Sequence, residues 1–277
     1  MDEQSIKIAQ KAWQSAEAVL IGAGAGMGVD SGLPDFRGKN GFWKAYPPLA
    51  RMGIEFEEMA NPQWFDTNPR LAWGFYGHRL NLYRSTEPHN GFKILFKNFQ
   101  DNNIPVFIFT SNVDAHFQKT GFSEKQIMEC HGSLMHLQCL EECGQSIWEV
   151  QQELVLNINT TSLLAMDPLP TCPECGSVAR PNILMFSDFG WQSERTNHQK
   201  QRFEKWICEN KNKNLLIIEF GAGTNIPTVR FTCEDLYQSV GDHFIRVNPS
   251  ESRCELKNTI SIGIGAEDAI KRICTSS

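Results

Sequence analysis

Short apolar runs, separated by helix-like stretches, constrain the fold of this chain more than any other feature of its sequence. The first run spans residues 18–21 and stops in glycine, after a segment at 5–17 whose apolar residues have helical spacing. Similar runs recur at residues 104–110, 215–220, 243–247 and 259–264. Short runs without polar alternation are typical of strands that are buried on both faces. The pattern therefore predicts an α/β fold with a Rossmann-like parallel sheet and helices on both faces.

Two regions interrupt this alternation. Residues 39–91 are rich in Trp, Phe, Tyr and Pro, and residues 135–180 carry clustered cysteines around a polar stretch. We interpret the first region as a helical insertion and the second as a metal-binding insertion, the two together forming a smaller domain. The large domain is then expected to comprise residues 1–38, 92–134 and 181–277.

Composition and charge exclude several classes of protein. A formal net charge of -6 over 277 residues argues against a general nucleic-acid binder, which usually carries a basic stripe, and is compatible with basic peptide partners. No apolar run approaches the length of a membrane span and the first residues are polar, so a cytoplasmic protein without membrane contact is expected. In that setting the nine cysteines are expected to be thiols or metal ligands rather than a disulfide framework.

A glycine-rich stretch follows the first apolar run. Gly22, Gly24, Gly26 and Gly28 alternate with other residues, so the dinucleotide fingerprint GxGxxG is not met, and no Gly-Lys-Ser/Thr follows to make a P-loop. Taken alone, such glycines could form only a tight turn between a strand and a helix. They could equally let backbone amides approach a pyrophosphate, and the Pro, Phe and Arg within residues 34–37 add groups suited to a ligand.

This stretch resembles the first motif of the sirtuins, NAD-dependent protein deacylases, which reads roughly GAGxSxxSGIPDFR. Residues 24–26 and 31–37 match that motif. We expect Phe36 to shield the reacting ribose carbon of NAD from water, and an aromatic loop through Phe42, Trp43 and Tyr46 to close over the cofactor, with packing in the core as the alternative for both. The resemblance implies these NAD contacts in the stretch: Gly24, Ala25, Gly26, Asp35, Phe36 and Arg37.

Residues 110–115, TSNVDA, follow the second apolar run, where ligand groups gather at the carboxyl edge of a parallel sheet. They resemble the sirtuin motif TQNIDGLH, with Ser111 in place of the usual Gln and Phe117 in place of the last His. Asn and Asp at a strand end are often only turn formers. The resemblance implies that Asn112 orients the nicotinamide ribose and a water molecule, that Asp114 lines the nicotinamide pocket, and that Ser111 also contacts NAD.

One histidine lies within a recognisable sequence motif. Residues 130–133, CHGS, resemble the sirtuin LHGS, which implies that His131 contacts NAD and is the catalytic base. A neutral imidazole with an ordinary pKa of about 6.5 can take a proton from a ribose hydroxyl at working pH. The chain has seven histidines, and the competitor is His136, because it is close in sequence and near the cysteines.

Four of the cysteines form two close pairs. Cys139 and Cys143 make the first pair, and Cys172 and Cys175, in a CPEC sequence, make the second. Two such pairs are the arrangement with which a tetrahedral thiolate site closes two short loops around one zinc ion. We predict a structural Zn²⁺ that holds the 135–180 insertion and does no chemistry, and the alternative is four reduced cysteines in a loop.

Later segments resemble the rest of the sirtuin pattern. Residues 180–186 resemble the RPxVVxF return to the sheet, whereas residues 187–191, SDFGW, replace the usual Gly-Glu and Pro of the peptide-binding loop. Three further strand ends resemble NAD-contacting turns, each with an ordinary glycine-rich strand end as the alternative. The contacts expected there are Gly221, Ala222, Gly223, Asn248, Gly265 and Ala266.

The resemblance covers about residues 18–272, and the chain is identified as an atypical, bacterial-type sirtuin. It implies an enzyme that deacylates lysine in a protein or peptide, consumes NAD and releases nicotinamide and O-acyl-ADP-ribose. Departures at Gly28, Gly223 and residues 187–191 leave two alternatives open: ADP-ribosyl transfer or NAD hydrolysis in the same pocket, and NAD sensing without catalysis. Retention of His131 with Asn112 argues against the sensor, which needs no base.

Overall fold

The computed structural model describes residues 3–34, 38–141 and 143–274. The strands are β1 (Ala18–Ala23), β2 (Val106–Thr110), β3 (Ile127–Glu129), β4 (Gly132–Cys139), β5 (Trp148–Glu149), β6 (Ile158–Asn159), β7 (Leu164–Ala165), β8 (Ala179–Ile183), β9 (Leu215–Phe220), β10 (His243–Val247) and β11 (Thr259–Ile262). The helices are α1 (Glu3–Ser15), α2 (Gly38–Ala45), α3 (Pro47–Met52), α4 (Phe56–Met59), α5 (Gln63–Thr67), α6 (Pro69–Ser85), α7 (Asn90–Asn102), α8 (His116–Thr120), α9 (Glu194–Asn210), α10 (Thr228–Val240) and α11 (Ala266–Cys274). Two 3-10 helical segments lie at Ala25–Ser31 and Glu124–Gln126.

A six-stranded parallel sheet forms the centre of the molecule. Its strand order is β11-β10-β9-β1-β2-β3. Every residue of β1, β2 and β9 is buried. All the apolar runs read from the sequence as strands lie in this sheet, which confirms the predicted parallel α/β fold. The runs lack polar alternation because the sheet is covered on both faces.

Apolar cores lie on the two faces of this sheet. On one face, Val19 and Ile21 of β1 pack into a core with residues of α1, α7 and α11. On the other, Leu20 of β1 packs with Phe203 of α9 and Cys233 of α10. Successive side chains of a strand point to opposite faces, so one continuous apolar run supplies both cores.

A third core lies beside the sheet and is shared by the two regions that interrupt the strand pattern. Phe75 of α6 and Leu137 of β4 both belong to it. The indole N–H of Trp73 donates to the carbonyl of Ala179 at 2.8 Å and joins α6 to β8. β4 lies between β5 and β8 in a small antiparallel sheet, and β6 pairs with β7. The exact bounds of the smaller domain stay a prediction.

No helix within the described ranges is both long enough and apolar enough to cross a bilayer. The longest among them, α6 and α9, each have 17 residues. A membrane span needs about 20 mostly apolar residues, and both of these helices carry charged side chains along their length.

Candidate active site

A cavity of about 480 Å³ lies at the carboxyl edge of the parallel sheet. β1 and β9 are neighbours, but the chain continues from β1 to β2 on one side and from β9 to β10 on the other. Such a reversal of strand order opens the crevice in which parallel α/β sheets bind ligands. The predicted site residues that line the cavity are Gly24, Ala25, Ser111, Asn112, Asp114, His131, Ala222 and Gly223.

The glycines let two loops pack backbone against backbone. The N–H of Gly24 donates to the carbonyl of Phe220 at 2.9 Å, and the N–H of Gly26 donates to the carbonyl of Gly221 at 3.0 Å. A Cβ atom at Gly24 would lie 2.6 Å from Cα of Ala222, and one at Gly221, whose φ is +60°, would lie 2.4 Å from the carbonyl carbon of Gly26. The contact between Gly26 and Gly221 therefore joins the loop after β1 to the loop after β9. Of these three glycines, only Gly24 lines the cavity.

The TSNVDA segment is held against the glycine loop by side-chain hydrogen bonds. The hydroxyl of Thr110 donates to the carbonyl of Ala23 at 2.9 Å and accepts from the N–H of Asn112 at 3.0 Å. The side-chain Nδ2 of Asn112 donates to the carbonyl of Gly24 at 3.0 Å. These bonds fix the carboxamide of Asn112 at the junction between β1 and β2, inside the cavity wall.

Asp114 is almost fully buried, with 8% of its surface exposed, and lines the same cavity. Its Oδ1 accepts from the backbone N–H of His116 at 2.9 Å, at the start of α8. A Cβ atom at Gly28 would lie 3.7 Å from Oδ2 of Asp114 and 3.0 Å from a methyl carbon of Leu33. Gly28 therefore lies close to this carboxylate and leaves little space for a side chain beside Leu33.

His131 follows β3 and presents a half-buried imidazole to the cavity. Its Nε2 lies 3.4 Å from the hydroxyl of Thr228 at the start of α10, and its carbonyl accepts from the N–H of Leu184 at 3.0 Å. Burial lowers the pKa of His131 below its usual 6.5, because the charged imidazolium loses hydration there. The ring is therefore neutral at physiological pH and has a nitrogen that can accept a proton.

His136, the competing histidine, lies on β4 and does not line the cavity. Burial and the nearby charge of Arg195 lower its pKa to about 3. Its Nδ1 is buried without a hydrogen-bond partner among the described residues. Of the two histidines, only His131 is brought to the cavity with Asn112 and Asp114.

Asn248 has a structural role at the end of β10. It is fully buried, its Nδ2 donates to the carbonyl of Ala222 at 2.9 Å, and its Oδ1 accepts from the N–H groups of Ser250 and Glu251 at 3.1 and 3.0 Å. The side chain thereby fixes the turn after β10 against the loop after β9. Asn248 is outside the cavity lining, and Glu251 is the residue that this turn presents to the cavity.

Gly265 and Ala266 also lie outside the cavity lining. Oδ2 of Asp30 accepts from the N–H of Glu267 at 2.8 Å at the start of α11, and a Cβ atom at Gly265 would lie 3.0 Å from that oxygen. Gly265 and the N–H of Glu267 therefore lie against Asp30 in the 3-10 segment Ala25–Ser31.

The remaining predictions concern the end of the first motif and the aromatic loop. Asp35, Phe36 and Arg37 lie outside the described residues, so their contacts with NAD stay predictions. In the aromatic loop, Phe42 lines the cavity, whereas Tyr46 lies in the third core with its hydroxyl 3.1 Å from Nδ1 of His78.

A buried arginine and two tyrosines form a wall of the cavity that the sequence reading missed. Tyr76, Arg79 and Tyr83 project from one face of α6. Nε and Nη2 of Arg79 donate to the hydroxyl of Tyr83 at 3.0 and 2.8 Å, and the guanidinium lies 5.3 Å from the centre of the Phe75 ring. This wall therefore carries a positive charge. The sequence did contain a sign of this wall. These polar residues are spaced three and four apart, which places them on one face of the helix, and that face is otherwise apolar.

The loop that departs from the sirtuin pattern is anchored by a buried ion pair. Nη1 and Nη2 of Arg180 donate to the two carboxylate oxygens of Asp188, each at 2.8 Å. Oδ2 of Asp188 also accepts from the N–H of Met185 at 3.2 Å. Ser187 adopts a left-handed conformation with φ of 56°, and Phe189 is 99% exposed. The acidic residue therefore holds the loop and does not face the cavity.

The four paired cysteines come together as the spacing predicts. Their sulfur atoms all lie within 4.8 Å of one another, with 3.5 Å between Cys139 and Cys175 and 3.6 Å between Cys143 and Cys172. Four sulfurs around one zinc ion, at Zn–S distances of about 2.3 Å, lie about 3.8 Å apart. The cluster fits a structural zinc ion.

Comparison with known proteins agrees with this geometry. The model of the Sir2 family matches residues 24–218, more than half of the chain. An NAD-dependent protein deacylase of Aquifex aeolicus is 34% identical over 166 residues, which cover 60% of this chain and 59% of the relative. A second NAD-dependent protein deacylase, of Pyrococcus abyssi, is 30% identical over 183 residues, 66% of each chain. The matched regions thus span less than two thirds of the length of these relatives.

Similarity of structure extends over nearly the whole chain. The crystal structure of a Sir2 homolog–NAD complex superposes with a TM-score of 0.69 and covers 99% of this chain and 93% of that one. Sequence identity between the two is 23%. At this identity the likeness establishes the shared fold.

Proposed function

Because this chain belongs to the Sir2 family, we propose that it is an NAD-dependent protein-lysine deacylase. Its substrates are an acyl-lysine protein or peptide and NAD, and its products are free lysine, nicotinamide and O-acyl-ADP-ribose. The observation that carries the proposal is the convergence of His131, Asn112 and Asp114 on one cavity beside the glycine loop. The names of the curated relatives support the same activity.

The residues around the cavity fit NAD. Gly24, Ala25 and Gly223 line it with backbone and the smallest side chains, which suits close approach to a pyrophosphate. The cavity extends from His131, after β3, to Glu251, after β10. It therefore runs along the sheet edge as an elongated dinucleotide requires. When bound, NAD supplies a ribose carbon that becomes electrophilic as nicotinamide leaves.

His131 acts as the general base. Its neutral ring takes a proton from a ribose hydroxyl, which is then able to attack the acyl carbon. Asn112 is held by the carbonyl of Gly24 and orients the nicotinamide ribose and a water molecule. Asp114 provides a buried carboxylate beside Gly28 for the nicotinamide side of the cavity.

The acyl-lysine side chain enters along an apolar part of the cavity wall. Phe42, Val113, Ile183 and Met185 give this wall an apolar surface that excludes water from the reacting groups. Leu184 and Phe186 flank the opening with 39% and 36% of their surface exposed and offer an apolar contact for a peptide. A zinc ion bound by the four cysteines would hold the end of β4 to the loops that precede β8, and it would do no chemistry.

A cytoplasmic setting is part of the proposal. All nine cysteines are free thiols, which agrees with a reducing compartment. Four of them form the metal-binding cluster, which requires reduced sulfur.

The experiment that tests the function is mass spectrometry of NAD products, with and without an acetyl-lysine peptide. Peptide-dependent O-acetyl-ADP-ribose that is lost in His131→Ala is the expected result. His198→Ala, which alters an exposed histidine of α9, is the matched control and is expected to retain activity.

One observation favours a second candidate, ADP-ribosyl transfer or NAD hydrolysis. Asp188 is committed to Arg180, so the loop at 187–191 lacks a free acid to hold a peptide backbone. ADP-ribose, or ADP-ribosylated protein, formed without an acyl peptide would establish this candidate in place of the deacylase. Binding of NAD without turnover across several acyl chains would establish a sensor instead.

A further inference from the structure

One side chain of the protein contacts the imidazole of His131 by a hydrogen bond. Its Nε2 lies 3.4 Å from the hydroxyl oxygen of Thr228, the first residue of α10. Within the ranges that the structure describes, no other side chain hydrogen-bonds to this ring. Thr228 itself does not line the cavity. A general base is commonly oriented by a third group, and the hydroxyl of Thr228 is placed as such a group.

The first turn of α10 is anchored to the parallel sheet. Val229 is 1% exposed and packs on β1 at Gly22, where a Cβ atom would lie 3.2 Å from a methyl carbon of Val229. Nε of Arg230 donates to the carbonyl of Ala222 at 3.1 Å and joins the same turn to the loop after β9. Because these contacts fix the start of the helix, they also fix the backbone of Thr228 beside the ring.

The protonated form of His131 is poorly stabilised by its other surroundings. Burial lowers the pKa of the ring, and no charged side chain of the described residues contributes to that shift. The nearest acid in sequence, Glu129, is paired with Arg195, and burial raises the pKa of the Cys130 thiol to about 12, so that this thiol stays neutral. The N-terminus of a helix also disfavours a positive charge. The hydroxyl of Thr228 is therefore the acceptor on which an imidazolium depends.

A hydroxyl can interact with both states of the ring. It can donate to the lone pair of a neutral imidazole, and it can accept from the N–H of an imidazolium. The second bond involves a charged group and is about twice as strong as the first. Thr228 therefore holds the ring before proton transfer and stabilises it more strongly afterwards.

We propose that Thr228 is a positioning residue for the catalytic base: its hydroxyl fixes the imidazole of His131 and accepts a hydrogen bond from the ring once the ring has taken the ribose proton. The proton moves from the ribose hydroxyl to an imidazole nitrogen, and Thr228 loses and gains none. This inference rests on the proposed function in that His131 is the base. Because Thr228 lies outside the cavity lining, it acts through His131 rather than on NAD.

Three substitutions separate the hydroxyl from the rest of the side chain. Thr228→Val keeps the shape of threonine and removes the hydroxyl, whereas Thr228→Ser keeps the hydroxyl. Thr232→Val is the matched control, because Thr232 lies one turn further along α10, is half-buried like Thr228 and does not line the cavity. Thermal melting shows whether each variant folds, and Thr228→Ala is a second variant without the hydroxyl.

An NMR titration of the ring nuclei measures the pKa of His131 without any turnover, and His131→Ala assigns the signal. We expect this pKa to fall by about one pH unit in Thr228→Val and Thr228→Ala, because the imidazolium loses its acceptor. It should stay unchanged in Thr228→Ser and Thr232→Val. A merely structural role would give the opposite sign, since a loosened site hydrates the ring and raises its pKa toward the ordinary value.

Kinetics with an acetyl-lysine peptide distinguish positioning from binding. In Thr228→Val, kcat should fall about tenfold while the KM for NAD changes by less than about twofold, and serine should restore most of the rate. The acid limb of kcat/KM should move to lower pH with the pKa of His131.

Three results would overturn the inference: a pKa of His131 that is unchanged or raised in Thr228→Val, a serine variant as impaired as the valine variant, or a raised KM for NAD at unchanged kcat. Failure of the proposed function is a separate result. If the unmodified protein deacylates no peptide, the deacylase is refuted, and the NMR titration alone decides whether Thr228 stabilises the charged ring of His131.

Discussion

Asp188→Asn tests how much the buried ion pair with Arg180 contributes to the loop at 187–191. Both side chains are nearly inaccessible, with 2% and 0% exposed, and two hydrogen bonds of 2.8 Å join them. The substitution keeps the size of the side chain and removes the charge that compensates the guanidinium. Its effect is therefore electrostatic rather than steric.

The expected loss in the free energy of unfolding follows from the burial of this ion pair. Removing one partner of a buried pair costs about 3–5 kcal/mol, because the remaining charge stays out of water without a counterion. The hydrogen bond from the N–H of Met185 contributes about 1 kcal/mol, and an asparagine oxygen can still accept it. We expect the free energy of unfolding to fall by about 3–5 kcal/mol in Asp188→Asn and by about 1 kcal/mol more in Asp188→Ala.

Urea unfolding followed by tryptophan fluorescence measures this difference as a shift of the midpoint at constant slope. Glu209→Gln, which breaks the exposed pair with Lys205 one helical turn away, is the control and should cost only about 0.3–0.5 kcal/mol. The double variant Arg180→Met, Asp188→Asn removes both charges and is expected to recover much of the loss.

A loss no larger than that of Glu209→Gln would refute the reasoning from burial, since it would mean that water reaches the pair in solution. A double variant as unstable as Asp188→Asn would show that an uncompensated charge is not the cause. High salt gives a further check, because 1 M NaCl, with a Debye length of about 3 Å, should change the cost in Asp188→Asn very little.

Three other predictions follow from the site. Because burial lowers the pKa of His131, the neutral base persists to lower pH, and kcat/KM should fall only below about pH 6.5. A decrease in kcat/KM that begins above pH 7 as the pH is lowered would contradict this. Cys172→Ser should lose the single zinc ion measured by atomic absorption and lower the Tm, and a metal-free protein with unchanged melting would rule out the zinc site. Gly24→Ala should destabilise the fold by about 1–3 kcal/mol, because its Cβ would meet Cα of Ala222 at 2.6 Å. Gly263→Ala, with its nearest atom at 3.7 Å, should cost less than about 1 kcal/mol in the same urea titration.

Much of the fold could be predicted from local pattern. The strands in the parallel sheet are recognisable because burial on both faces leaves an uninterrupted apolar run, and each run reappears as a strand. The cysteine cluster was predictable because two close pairs are needed to surround a tetrahedral ion. Asn112 and Asp114 were singled out by the resemblance of their segment to a sirtuin motif, since a strand end alone would fit turn formers equally well, and the structure brings both to the cavity.

Other features depend on which loops meet, and the order of residues along the chain does not reveal that. Gly26 and Gly221 face each other across 195 positions, and glycine is required at 221 because the backbone of Gly26 and Met27 fills the space where a side chain would lie. The spacing of polar residues marked one face of α6, but it did not show that Arg79 on this face would line the cavity.

The sequence by itself determined the sheet and the metal cluster, because burial and ligand spacing leave periodic marks within a few residues. Only the tertiary structure decided that Asn248 holds a turn while Glu251 reaches the cavity, and that the carbonyl of Gly24 holds the side chain of Asn112. Those outcomes follow from contacts between loops that come after different strands. Such contacts depend on strand order and on the shape of each turn, and neither is written in the local pattern of polar and apolar residues.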